Sequence, residues 1–109
     1  MFIKKIKYTD FKGVEREEEF AFNLTKAELM EMELTTEGGL AERIKTVVEA
    51  KDVPEITRVF KRLILDAYGK ISDDGRSFMK SEDIKNEFAY SQAYSDLFME
   101  LSSDADKAA

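Results

Sequence analysis

The segment from Glu55 to Gly69, EITRVFKRLILDAYG, has the clearest hydrophobic pattern in the chain. Its apolar residues recur at the spacing that places side chains on one face of a helix. They are Ile56, Val59, Phe60, Leu63, Ile64, Ala67 and Tyr68. Pro54 is expected to set the helix start, and Gly69 to take the left-handed conformation just past its end. Burying one apolar face does not offset the entropy lost on ordering a helix, so this helix is expected to be the spine on which other segments pack.

The N-terminal part of the chain predicts a β-hairpin. Phe2 to Tyr8 alternates apolar and charged residues, and Val14 to Phe22 ends in a similar alternation, with turn residues between the two segments. Lysines of the first strand would lie across from glutamates of the second, and such opposite charges help to set the register. They are Lys4, Lys5 and Lys7, and Glu17, Glu18 and Glu19. An isolated hairpin is marginally stable, so its apolar face must rest on helices.

Two helices are predicted between the hairpin and the spine. Thr25 to Glu28 has the form of a capping box, in which the threonine and the glutamate each accept a hydrogen bond from the other's amide. A helix is therefore predicted from Lys26 to about Leu34, and the adjacent glycines of the following TTEGG favour a loop. Leu40 to Lys51 predicts a second helix, which the DVP segment separates from the spine.

Two more helices are predicted after the spine. Ser81 is a suitable N-cap for a helix over Glu82–Ala89, and a last helix is predicted over Gln92–Leu101. The pattern predicts an α+β fold that is mostly helical, with the N-terminal β-hairpin packed on a bundle of about four to five helices. We expect a single domain over 1–109, with the hairpin over 2–22, a helical region over 25–101 and a tail over 102–109 that frays.

Composition and charge narrow the possible functions. The chain has 109 residues, a net charge of -6, no histidine and no cysteine. An acidic chain repels phosphate, so nucleic acid is not an expected partner. Without histidine or cysteine the chain lacks an ordinary general base near neutral pH and a thiol nucleophile, so we expect no enzyme, no catalytic residue and no cofactor. The sequence contains no apolar run long enough for a membrane span, and no membrane partner is expected.

The segment KISDDGRSFMK is the one place where a metal site comes into question. Counting back from Gly75 as the sixth position of a calcium-binding loop puts Lys70 at the first ligand position, where an oxygen ligand is required. The adjacent Asp73 and Asp74 are more typical of a turn than of a metal site. The segment therefore predicts a turn, and no metal is expected.

Three predicted helices carry apolar residues on two sides. On the first helix Ala27, Met30 and Leu34 form one face, whereas Leu29 and Met32 point away from it. Apolar residues all round a helix indicate that both sides are covered. Either a small domain packs its helices on both sides, or a surface for self-association or partner binding contains Leu29, Met32, Leu65 and Met99.

Long segments of the chain resemble a known family. They are MFIKKIKYTDFKGVEREEEF, FNLTKAELMEMELTTEGGL, LILDAYGKISDDGRSF and EFAYSQAYSDLFMEL. Together, from Met1 to about Asp106, they resemble the tail assembly chaperones of long-tailed, siphovirus-type phages and prophages of Gram-positive bacteria. FNLTKAELMEMELTTEGG is the most distinctive part of this resemblance.

The resemblance implies a non-enzymatic role in building the phage tail. Such chaperones bind the long helical tape measure protein and keep it soluble, and they help to recruit the major tail tube protein. They form homo-oligomers, act in the host bacterial cytoplasm and leave before the virion is finished. The family supplies no catalytic, cofactor-binding or metal-binding residues to transfer.

Two other functions fit the sequence. One is a structural virion protein, such as a tail-completion subunit, and the other is a small acidic adaptor that binds a host protein. The 17 basic residues interspersed among 23 acidic ones do not favour a DNA-like array of charge.

Overall fold

The computed structural model describes the backbone of residues 1–108 and the side chains of residues 1–103. Its elements are β1 (Phe2–Thr9), β2 (Glu15–Phe22), α1 (Lys26–Thr35), α2 (Leu40–Glu49), α3 (Val53–Ala67), β3 (Tyr68–Ile71), β4 (Phe78–Met79), α4 (Glu82–Ala89) and α5 (Gln92–Ala108). The predicted α+β fold class, an N-terminal hairpin followed by four to five helices, is confirmed.

The elements form two compact units. The sheet unit comprises Met1–Asn23 and the chain from Tyr68 onwards, and it contains the four strands with α4 and α5. The helical unit comprises Leu24–Ala67 and contains α1, α2 and α3. Within the helical unit α3 packs against α2, as expected of the spine helix. The sheet unit has a core of its own, and the single domain over 1–109 stays a prediction.

All strands of the sheet are antiparallel and follow the order β1-β2-β3-β4. The predicted hairpin is confirmed, and its register runs from Phe2 opposite Phe22 to Thr9 opposite Glu15. β3 continues directly from α3 and pairs with β2 at two positions only, Tyr68 opposite Phe22 and Gly69 opposite Ala21.

The expectation that Gly69 caps the spine helix in a left-handed conformation is wrong. Gly69 is a buried residue of β3 and is not among the glycines with positive φ. The reason for glycine is space, because a Cβ at this position would lie 2.5 Å from a ring carbon of Phe78. Tyr68, expected on the apolar face of the spine helix, is likewise the first residue of β3.

An aromatic cluster around Phe88 forms the core of the sheet unit. Phe88 is 2% exposed, and its ring stacks on that of Tyr68 with 4.3 Å between centroids. Phe20 and Phe22 of β2 also contact this ring. α5 contacts β1 and α4 contacts β3, so the hairpin rests on helices as expected. The buried apolar side chains of this unit are those of Ile6, Phe22, Tyr68, Phe88, Ala93 and Leu97.

The helical unit begins with the predicted capping box. The Glu28 amide donates to Thr25 Oγ1 at 3.1 Å, and the Thr25 amide donates to Glu28 Oε1 at 3.0 Å. α2 ends two residues earlier than predicted because Lys51 has a positive φ of 54°, which stops the helix. The buried residues of this unit are Met32, Leu40, Val47 and Ile64.

The two C-terminal helices have the predicted starts. The Ser81 hydroxyl caps α4 by accepting from the Ile84 amide at 3.1 Å. α5 continues past its predicted end at Leu101 to Ala108, in a segment without glycine or proline to stop it. The expected fraying of 102–109 stays a prediction, and Ala109 lies outside the described residues.

Candidate interaction surfaces

The turn between β3 and β4 contains the adjacent aspartates of the sequence. Asp74 Oδ1 accepts from the Arg76 amide at 3.0 Å and from the Ser72 hydroxyl at 2.8 Å, and these hydrogen bonds lower the pKa of Asp74. The predicted turn is confirmed, and Gly75 takes its left-handed position with φ of 75°. Among the described residues no group of three Asp, Glu or His side chains is arranged to hold a metal ion. The aspartate carboxylate therefore shapes the turn.

The four residues expected on an interaction surface differ in exposure and lie in two units. Leu29 is 44% exposed and Met99 is 64% exposed, whereas Leu65 is half-buried. Met32 is only 8% exposed. Leu29, Met32 and Leu65 belong to the helical unit and Met99 to the sheet unit. Their role in partner binding stays a prediction, although Met32 does not lie on the exposed side where the helical phase had placed it.

The helical phase predicted for α1 is wrong. The side carrying Ala27, Met30 and Leu34 was expected to be the one that packs inward, but Met30 is 60% exposed and Leu34 is 76% exposed. We call these three residues the outer face of α1. Five of the ten residues of α1 are apolar and they surround the helix, so the periodicity selects no face. No signal in the sequence could have identified Met32 as the inward residue.

A groove of about 290 Å³ lies in the helical unit between α1, α2 and α3. We call it the arginine groove. Its apolar lining residues are Met32, Leu40, Val59 and Leu63, and its charged ones are Glu37, Arg43, Glu55, Arg58 and Arg62. Residues from three helices build it, so sequence reasoning missed it as a site. The combination of an apolar floor and charged walls suits a partner that presents apolar side chains beside a charge.

Glu55 holds two of the arginines in place. Arg43 Nη2 lies 2.7 Å from Glu55 Oε2, and Arg58 pairs with the other carboxylate oxygen. These hydrogen bonds, that from Arg43 foremost, lower the pKa of Glu55, so the carboxylate is ionised at neutral pH. Two guanidinium groups thus share one carboxylate and keep donor N–H groups for another. The Arg43 and Arg58 side chains are 49% and 69% exposed, which leaves them accessible to a partner.

Three lysines of β1 form ion pairs within the protein. Lys5 and Lys7 both lie near Glu17, at 3.6 and 3.8 Å, as the predicted facing of lysines and glutamates requires. Lys4, predicted to face a glutamate of the second strand, lies opposite Phe20 instead because of the register, and its Nζ lies 2.7 Å from Glu100 Oε1, which connects β1 to α5. Exposed pairs of this kind contribute at most about 1 kcal/mol each. The pairs with Glu17 stabilise the register of the hairpin, and the pair with Glu100 stabilises the contact between β1 and α5.

A cleft of about 450 Å³ opens in the sheet unit where β2 and β3 diverge. The Tyr8 hydroxyl donates to Glu18 in its wall, and this hydrogen bond raises the pKa of Tyr8 to about 12. Lys70 Nζ donates to Glu87 Oε1 at 3.1 Å, which raises the pKa of Lys70. The first pair joins β1 to β2 and the second joins β3 to α4, so both stabilise the walls of the cleft.

Comparison with known proteins identifies the family. The sequence profile of a family described as phage tail assembly chaperone matches residues 1–109. Searches of curated proteins and of solved structures found no match. None of the described helices is long and apolar enough to cross a membrane. The match covers the entire chain and agrees with the resemblance seen in its segments, so the chain belongs to the phage tail assembly chaperone family.

Proposed function

We propose that this protein binds the tape measure protein of the phage tail and keeps it soluble during assembly, without catalysing a reaction. The full-length match to the tail assembly chaperone family carries this proposal. Exposed apolar side chains on helices support it, because a helical client can be shielded from aggregation by apolar contacts along one face.

The proposed contacts are modest and reversible. Leu29 and Met99 are the exposed members of the predicted set and are proposed to touch the client directly. Leu65 is half-buried, and Met32 lines the arginine groove, so a client would reach Met32 only by entering that groove. A chaperone must release its client, which favours a small contact over an obligate interface.

The proposal includes further partners and a place of action. The protein is proposed to help recruit the major tail tube protein, to self-associate, and to act in the host bacterial cytoplasm without remaining in the finished virion. Nucleic acid and membranes are not proposed partners, since the net charge of -6 repels phosphate.

Co-expression with the tape measure protein of the same phage tests the proposal. We expect the tape measure protein to be soluble only when this protein is present, and the two to co-elute in size-exclusion chromatography with light scattering. Leu29→Asp and Met99→Asp should each reduce the co-eluting fraction. Val53→Asp is the matched control, because it adds the same charge at a residue that is 66% exposed.

Two results would contradict the proposal. One is a tape measure protein that stays insoluble beside the wild-type protein. The other is this protein persisting in finished phage particles, which would favour a structural virion subunit.

A further inference from the structure

α1 has an apolar side that the other described residues of the helical unit leave exposed. Its inner side is buried at Met32, yet Met30 and Leu34 are 60% and 76% exposed. A helix with apolar residues all round is typical of one that is covered on both sides. The apolar residues of the outer face therefore suit a contact that the described residues of the helical unit do not provide.

We infer that the outer face of α1 in one copy of the protein docks into the arginine groove of the next copy. This inference deepens the proposed function, of which self-association is a part, and rests on it. The occupant is a second copy because the chain itself carries a helix whose apolar residues and charge match this groove.

The apolar parts of the two surfaces correspond in size. Met30 and Leu34 are four residues apart, so their side chains are neighbours on the helix surface. The groove of about 290 Å³ is nearly twice the roughly 150 Å³ cavity that holds a benzene molecule, so it has room for both side chains. Its floor of Met32, Leu40, Val59 and Leu63 is apolar, and the flexible Met32 can adapt to an incoming side chain.

A carboxylate borders the outer face, whereas three arginines and two glutamates line the groove. Glu31 is exposed on α1 beside the outer face. Arg43 and Arg58 share the carboxylate of Glu55 in the groove, so a second carboxylate would give each guanidinium group a carboxylate of its own. Packing two outer faces against each other would instead bring the Glu31 residues of both copies together. Like charges repel, which favours the contact of face with groove.

A face-to-groove contact joins two different surfaces of the molecule. Both lie in the helical unit, and α1 contributes Met32 to the groove and Met30 to the outer face. Each added copy therefore leaves one face and one groove available at the ends of the assembly. Such head-to-tail contacts build a ring when the rotation closes and an open chain when it does not.

Complementary variants of the full chain test the inference. Leu34→Asp disables the face and Arg58→Glu disables the groove, and both positions are exposed, at 76% and 69%. Sedimentation velocity across a concentration series should show association of the wild-type protein and a monomer for either variant alone. An equimolar mixture of the two variants should form a species of two copies and nothing larger, because one working face meets one working groove.

Matched controls separate the contact from general effects of charge and folding. Lys61→Glu is the control for Arg58→Glu, because it makes the same charge change on α3 at an exposed residue that does not line the groove. Val53→Asp is the control for Leu34→Asp, because it introduces the same charge at another exposed apolar residue outside the groove. Both controls should associate as the wild type does. Circular dichroism checks the folding of every variant, and Met30→Asp with Arg43→Glu forms a second pair if the first does not fold.

Several results would overturn the inference. They are a wild-type protein that is monomeric at all concentrations, an Arg58→Glu variant that still associates, and a mixture of variants that stays monomeric. Co-expression with the tape measure protein is read separately. A wild type that associates as expected but leaves the tape measure protein insoluble contradicts the proposed function alone. The wild-type protein could also solubilise the tape measure protein while remaining monomeric. If Leu34→Asp then abolishes this solubilisation, the outer face binds the client and the inference is overturned.

Discussion

Lys51 ends α2 in a backbone conformation that favours glycine. Its φ is 54°, and it is the one non-glycine residue with positive φ in the described chain. The Asp52 amide donates to the Val47 carbonyl at 3.0 Å, and the Lys51 amide donates to the Val48 carbonyl at 3.1 Å. These two hydrogen bonds form a Schellman motif, in which glycine usually takes the left-handed position. The left-handed conformation costs a residue with a side chain about 1–2 kcal/mol.

Replacing Lys51 by glycine should therefore stabilise the protein. We expect Lys51→Gly to raise the free energy of unfolding by about 0.5–1 kcal/mol, since the relief of strain exceeds the added entropy of the unfolded chain. Urea denaturation measures the change, with an unchanged m value. Lys45→Gly, in the middle of the same helix, should lower the free energy of unfolding by a similar amount. A lower value for Lys51→Gly than for the wild type would contradict this account.

At position 69 glycine is required for its small size and not for its backbone conformation. The missing side chain leaves room for a neighbouring residue. A Cβ there would lie 2.5 Å from Phe78 Cε2 and 2.9 Å from the carbonyl oxygen of Met79. We expect Gly69→Ala to lower the free energy of unfolding by about 1–3 kcal/mol, as overpacked sites do. The double variant with Phe78→Ala should recover part of the loss because the ring is gone. Equal stability of Gly69→Ala and the wild type in thermal unfolding would rule out the steric explanation.

Elements whose signals are local were predictable from the sequence. The capping box of α1 depends on residues three apart, and the one-sided apolar pattern of α3 selects its packing face. α1 has no such one-sided pattern, so the side of α1 that faces inward is determined by the neighbouring elements and not by its own sequence. A short hairpin flanked by Lys70 and Arg76 was considered at the turn after β3 but not predicted, because β4 has only two residues, which pair with Lys70 and Ile71. A strand of that length carries no periodicity.

The β1–β2 hairpin has a pH-dependent contact in the Tyr8–Glu18 hydrogen bond. The hydrogen bond to the Glu18 carboxylate raises the pKa of Tyr8 from 10.0 to about 12, because ionised tyrosinate could not donate and would face a negative charge. The folded-state pKa is raised, so the stabilising contribution is fully present below pH 10 and is lost as the pH rises through about 12.

An ultraviolet absorbance titration of tyrosine ionisation measures this shift. The difference between the wild-type protein and Tyr8→Phe should isolate one tyrosine that ionises near pH 12. In Glu18→Gln the same tyrosine should ionise closer to pH 10, since the neutral amide removes the charge. The difference signal is needed because burial also raises the pKa of Tyr68 and Tyr94. A wild-type Tyr8 that ionises near pH 10 would contradict the contact.

The division of the chain into two units was the least predictable feature at the scale of the whole molecule. The sheet unit is built from both ends of the chain. Ala21 pairs with Gly69, although the whole helical unit lies between them in the sequence. Pairings between distant residues leave no local pattern, so the spine helix was expected to organise every segment. The arginine groove was hidden for the same reason, because Arg43 and Arg58 meet at Glu55 from different helices.

The sheet topology predicts that the helical unit can be removed. Phe22 of β2 and Tyr68 of β3 lie directly opposite each other in antiparallel strands. A two-residue turn joins such positions, and Asn23 followed by one glycine has the preferred Asn-Gly sequence. Replacing Leu24–Ala67 by this single glycine should therefore leave a continuous four-stranded sheet with α4 and α5.

This shortened chain is expected to fold because the aromatic cluster lies wholly within the sheet unit. Phe88 contacts Phe20, Phe22, Tyr68 and Tyr94, all of which are retained. Domains of about 60 residues are marginal but often fold alone. We expect the shortened chain to unfold in a cooperative thermal transition, which near-ultraviolet circular dichroism of the tyrosines would monitor. Phe88→Ala in the same chain should abolish the transition, because removing a buried phenylalanine costs about 3–5 kcal/mol, most of the stability of so small a domain. A shortened chain without a cooperative transition would mean that the sheet unit requires the helical unit to fold.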